Sequence, residues 1–131
     1  MSRITFLAPL LEVPASRYRL INETRRQVVA ASIEPALASA ARRRGLLGRN
    51  SLSPDTAFVI APTNAVHTFG MRFAIDLLFV RRDGQVIKRS VALPRRRMSA
   101  AFRAFAVIEF CANHPGVAAT HRGDRLQVER F

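Results

Sequence analysis

The stretch His67-Thr68-Phe69-Gly70-Met71-Arg72-Phe73-Ala74-Ile75-Asp76-Leu77-Leu78-Phe79-Val80 constrains this chain more than any other. Phe69, Met71, Phe73, Ile75, Leu77 and Phe79 share one parity and are all apolar. Thr68, Gly70, Arg72, Ala74 and Asp76 share the other and are small or polar. Side chains of an extended chain alternate between two faces, so period two over this length predicts a β path with one buried face. The same stretch sets a His, an Arg and an Asp among core residues.

Around this path the chain reads as many short β runs and one helix. Tyr18 to Asn22 and Gln27 to Ile33 predict a hairpin turned at Asn22-Glu23-Thr24. Ala57 to Ile60 is a short strand. Arg82-Asp83-Gly84-Gln85 predicts a type I′ hairpin that returns through Gln85 to Ser90. Pro94 to Ser99 reads as a basic loop and Phe102 to Phe110 as a further apolar run. Irregular chain with one helical turn follows Pro115, and Leu126 to Glu129 closes the fold. Residues 1–16, with Pro9 and Pro14, read as an extended lead-in.

The one helix is expected at about 35–44. Pro35 suits a first turn, alanines favour the interior, and Arg42, Arg43 and Arg44 complement the dipole before the Gly45 stop. Strands that do not alternate with helices argue against a βαβ architecture. The expected fold is therefore mainly β, an antiparallel β-sandwich or barrel, with 1–131 as a single domain. The expected core is Phe69, Met71, Phe73, Ile75, Leu77, Phe79, Val107, Ile108, Leu126 and Val128.

Several function classes recede on composition. One cysteine, Cys111, can form no intrachain disulfide, which fits a reducing, cytoplasmic setting. No apolar run approaches the ~20 residues of a membrane span, and Pro9 and Glu12 break the early apolar run before it resembles a leader; no membrane partner is expected. The net charge of +12 comes from arginine, with Lys88 the one lysine. That charge makes nucleic acid an alternative partner. The arginines are scattered, however, and no aromatic residues interleave with them along the chain to stack bases, so a solvated basic surface is the favoured explanation.

Two blocks flank the central stretch: Ala41-Arg42-Arg43-Arg44-Gly45-Leu46-Leu47-Gly48-Arg49 before it, and Asp83-Gly84 with Gly123-Asp124-Arg125-Leu126 after it. Together, over about residues 25–130, they resemble the bacterial and archaeal "domain of unknown function 192" family. The resemblance implies a small, mostly β, sandwich- or barrel-like protein. Many members are secreted or lipoproteins, and the resemblance brings no activity with it. Ala74 stands where the family has Pro. Glu109-Phe110-Cys111-Ala112-Asn113 stands where it has Glu-Leu-Pro-Ala-Gly. Asn113 tolerates left-handed backbone next best after Gly, so the turn is expected to survive.

The candidate site is His67, Thr68, Arg72, Asp76 and Glu109. Arg72 would be a fork for a carboxylate or phosphate, Asp76 would orient it, and His67 and Thr68 would stand at the rim. On a straight strand Arg72 and Asp76 would be about 13 Å apart, so a bend near Gly70 to Ala74 is needed. The competing reading is a buried Arg72–Asp76 or Arg72–Glu109 ion pair that fixes the sheet register. His67, His114, His121 and Cys111 have no recognised metal-ligand spacing, so no metal and no cofactor is expected. The sequence favours a non-catalytic binding module for a small anionic ligand or peptide end. A nucleic-acid-associated protein is the first alternative. An enzyme using Cys111 or His67 beside an acid is the second.

Overall fold

The computed structural model describes residues 5–12 and 17–131. Its centre is β6 (Ile75–Val80), in which every residue is buried. Alternation along this strand does not separate core from solvent. It separates two apolar layers, because both faces of the sheet are covered.

That sheet has five strands in the order β3-β4-β9-β6-β7, from β3 (Ser32–Ala36), β4 (Thr56–Ile60), β9 (Ala106–Cys111), β6 and β7 (Val86–Leu93). Leu78 and Val80 of β6, Ala57 and Val59 of β4, and Ile108 and Phe110 of β9 face one layer. There they meet Leu20, Val29, Leu126 and Val128 of a three-stranded sheet, β10-β1-β2. Its strands are β1 (Tyr18–Asn22), β2 (Gln27–Ala30) and β10 (Leu126–Arg130), with α1 (Ala8–Glu12) packed beside β10. Ile75, Leu77 and Phe79, with Phe58, Ile60 and Val107, face the opposite layer. That layer is closed by Leu46, Leu52 and Met71 from connecting segments. α2 (Ser39–Arg44) and the small sheet of β5 (Ala65–His67) with β8 (Met98–Ala100) lie in those connections. α3 (Pro115–Ala118) follows β9. Truncating Phe79, fully buried, would cost about 3–5 kcal/mol.

The mainly β class holds, and the arrangement is layered sheets; no closed barrel occurs among the described residues. The sheet is mixed, since β3 pairs parallel with β4 while the other pairings are antiparallel. The helix expected at about 35–44 is shorter. Pro35 belongs to edge strand β3, where a residue without an N–H is tolerated, and the helix begins at Ser39. Its end is as read: Arg42, Arg43 and Arg44 fill the last turn, and the Gly45 N–H, at φ +51°, reaches the Ala41 carbonyl. Two further short helices flank it in sequence. α1 replaces part of the extended lead-in; the rest of that reading, residues 1–4 and 13–16, lies outside the described residues.

The central path is broken at 68–74. The Met71 N–H donates to the Thr68 carbonyl at 3.2 Å, and Gly70 turns through φ +79°. Phe69 is consequently half exposed instead of core, and Phe73 is half-buried. The Asp83-Gly84 hairpin forms, with a different turn. Gly84 has positive φ and Asp83 does not, and the Gly84 N–H reaches the Arg81 carbonyl while the Arg81 N–H reaches Gln85. That is a type I turn with a glycine bulge. A Cβ at Gly84 would stand 2.3 Å from the Leu126 carbonyl oxygen, so glycine is also required by close approach.

Candidate functional site

The five candidate residues do not converge on Arg72. Arg72 is exposed and donates to the Asn50 side-chain oxygen at 2.7 Å. It forms no ion pair with Asp76 or Glu109, so neither the predicted fork-and-orienter pair nor the register-fixing ion pair is present. The bend at Gly70 turns the chain outward before β6 begins, which puts Arg72 in solvent and Asp76 inside.

Asp76 is 1% exposed and saturated by backbone. One oxygen accepts from the Ala92 N–H at 2.7 Å and the Asn113 N–H at 3.0 Å; the other accepts from the His114 N–H at 2.8 Å. Ala92 and Asn113 both have positive φ, 51° and 59°. Ala92 lies where β7 carries an extra residue against β6, since Ile75 pairs with Leu93 but Leu77 with Ser90. The carboxylate thus pins a bulge on one side and a left-handed turn on the other. Asn113 adopts the conformation expected of it. Thr68 is a second clip: its hydroxyl donates to the Pro94 carbonyl at 2.7 Å and accepts from the Arg97 N–H at 2.9 Å, tying the 94–97 loop to the end of β5.

Glu109 is different. It lies in the middle of β9, in register with Phe58 of β4 on one side and Leu77 of β6 on the other. Its parity directs it into the layer of Phe58, Leu77 and Val107. It is 3% exposed, and its Oε1 has no hydrogen-bond partner among the described residues. Burial pushes the carboxyl up to about 7. It borders a cavity of about 70 Å³ shared with Arg42, Arg43, Arg44, His67 and Met71. Arg42 is engaged locally, donating to the Leu37 carbonyl and the Ser39 hydroxyl. Arg43 and Arg44 form no ion pair among the described residues. His67, exposed, stacks obliquely with Phe69 at 5.7 Å between ring centroids.

Of the candidates, then, His67 and Glu109 share one cavity. The arginines that complete it had been assigned from sequence to the helix dipole and solubility. The missed signal was an ionisable residue in a run, Ala106 to Phe110, that is otherwise apolar at every position.

The remaining chemistry-bearing groups are structural in their contacts. His114 is buried: its Nδ1 accepts from the Gly116 N–H at 3.0 Å, which makes Nε2 the donor to the Pro54 carbonyl at 2.7 Å. Burial, then the charge of Asp76, push the Cys111 thiol up, the opposite of what activates a nucleophile. No three of His, Cys, Asp and Glu converge as metal ligands among the described residues. No helix among them is long and apolar enough to cross a membrane.

The fold and cavity define a class: a layered β protein whose central sheet holds one unpaired acid beneath an arginine-bearing helix end. The chain belongs to the DUF192 family ("Uncharacterized ACR"), whose family model matches residues 20–128. Its fold is similar to that of a "putative transcription regulator" from Sinorhizobium meliloti 1021, at 20% identity and a TM-score of 0.73, covering 86% of this chain and 92% of that one. It is also similar to a protein of unknown function from Novosphingobium aromaticivorans, at 19% identity and a TM-score of 0.70, covering 85% and 83%. No curated protein matches.

Proposed function

We propose that the chain is a non-catalytic binding module for a small anion, or for the anionic end of a larger ligand, held at the Glu109 cavity. The observation that carries this is the unpartnered Glu109 Oε1 beside a cavity lined by Arg42, Arg43, Arg44 and His67. A carboxyl kept neutral near pH 7 by burial can donate its proton in a hydrogen bond, and an anion oxygen is the acceptor it lacks. Cationic guanidinium groups on the same cavity attract that anion and suit carboxylate or phosphate geometry. A volume of about 70 Å³ admits a carboxylate or phosphate head and leaves the rest of a larger ligand outside. The reading includes a cytoplasmic setting, supported by the single cysteine.

The test is titration calorimetry with acetate and with inorganic phosphate, one pH unit below and one above the Glu109 pKa of about 7. Saturable binding is expected at the lower pH with proton uptake, weakening about ten-fold per unit above the pKa as the donor is lost. Glu109→Leu should abolish it. Absence of saturable heat with both anions, or affinity unchanged in Glu109→Leu, refutes the reading. Binding that strengthens as pH rises would instead mark an amine or other cation as the occupant.

A further inference from the structure

A second surface, sharing no lining residue with the Glu109 cavity, joins an exposed aromatic ring to unpaired cations. Phe102 is 91% exposed, the most exposed large apolar side chain described. It sits at the tip of a turn between β8 and β9, in which the Ala104 N–H donates to the Ala101 carbonyl at 2.9 Å. The turn is fixed to the body on both sides. The Ala101 N–H reaches the Asn64 carbonyl, the Phe105 N–H reaches Val80, and the Thr63 N–H reaches Phe105, each at 2.9 Å. Phe102 is thus held out on a rigid backbone, although burying such a ring against the protein would be favourable by about 2 kcal/mol.

Two clefts, of about 700 and 520 Å³, flank the ring and share Arg81, Phe102 and Arg103. Arg82 completes one and Arg122 the other, and no carboxylate lines either. None of these four arginines forms an ion pair among the described residues. Arg82 lies over the Phe105 ring at 4.4 Å, which holds it at the cleft wall, and Arg81 donates to the Gln85 side chain at 3.3 Å. Arg81 and Arg82 come from the turn after β6, Arg103 from the turn before β9, and Arg122 from the turn before β10. Only the fold interleaves them with an aromatic ring.

We propose that this surface binds single-stranded nucleic acid, with a base stacked on Phe102 and backbone phosphates carried through the two clefts by Arg81, Arg82, Arg103 and Arg122. A protruding aromatic between positively charged grooves is what a sequence-tolerant single-strand site requires: every base has a π-face, and every nucleotide a phosphate. The concavity on both sides of the ring favours a polymer that can enter it. A bilayer surface is flat, and would leave both clefts unfilled while gaining a single ring of insertion.

Fluorescence anisotropy of a fluorescein-labelled oligothymidylate of about 12 nucleotides tests this. The expected result is saturable binding whose log affinity falls with log salt at a slope of about −3, for four phosphate contacts. Phe102→Ala should weaken binding about ten-fold with the slope unchanged, and Phe102→Trp should retain it. Arg103→Ala should make the slope shallower by about 0.7. Both side chains are exposed, so the variants should match the parent in thermal unfolding. Absence of saturation overturns the proposal. Binding that Phe102→Ala leaves unchanged overturns it too, as general attraction to a basic surface. Phe102-dependent sedimentation with phosphatidylserine vesicles, without oligonucleotide binding, would overturn it in favour of a membrane contact.

Discussion

Asp76 and Glu109 are acids on adjacent strands of one sheet, one rung apart in the ladder, with 1% and 3% of their surface exposed. Asp76 accepts three backbone N–H bonds; Glu109 has an oxygen with none. The two side chains leave the sheet with opposite parity. Asp76 meets the bulge of β7 and the turn after β9, both of which have N–H groups to spare. Glu109 meets Phe58, Leu77 and a cavity. A buried carboxylate with its hydrogen bonds complete locks local backbone geometry, and one left incomplete has capacity for a ligand. Residue type and burial alone do not separate these roles; the surrounding donors do.

The contrast is sharpest in stability. Asp76→Ala leaves the amides of Ala92, Asn113 and His114 without their acceptor and should destabilise the fold by about 4 kcal/mol, read as a lower urea midpoint with an unchanged slope. A loss below about 1 kcal/mol would break the comparison.

Glu109→Gln should act in the opposite direction, and its effect depends on pH. The unfolded chain releases the Glu109 proton near pH 4.5, the folded chain near 7. Between those values the folded state holds more protons, so the stability of the parent falls as pH rises, by roughly 3 kcal/mol in total, and is flat above. Gln has no such titration. The variant should therefore match the parent near pH 4 and exceed it by up to about 3 kcal/mol at pH 8. Equal pH profiles by denaturant unfolding would show Glu109 to be ionised and satisfied like Asp76.

Two smaller effects refine the boundary. Asn113→Ala, at φ +59°, should cost about 1 kcal/mol through left-handed strain beside the Asp76 anchor, and Asn113→Gly should restore it. Arg72→Ala should change stability by less than about 0.5 kcal/mol, since its one hydrogen bond to Asn50 is exposed. A larger loss in thermal unfolding would return Arg72 to the architecture.

Much of the fold was legible in the sequence because its signals are local. Strand parity in Ile75 to Val80, the arginine-then-glycine end of α2, the Asp83-Gly84 hairpin and the left-handed Asn113 each depend on neighbours a few residues away. The mixed sheet and the shortened helix were not, because Pro35 reads equally as a first helical turn or an edge strand until β4 lies beside it. The candidate site was legible only in part: the composition of 67–80 drew attention to Arg72, while the acid that meets the cavity lies on another strand.

By itself, the sequence determined that the chain would be mainly β, which residues would alternate, and where several turns would fall. Only the tertiary structure decided which parity faces what. The partners of Asp76 come from positions 16, 37 and 38 residues further along, and the cavity at Glu109 is closed by the end of α2. Phe102 acquires its arginines from three separate turns. A strand dictates the two directions in which its side chains point. What stands in each direction is set by long-range packing, and the same carboxylate is a clip in one and an open acceptor in the other.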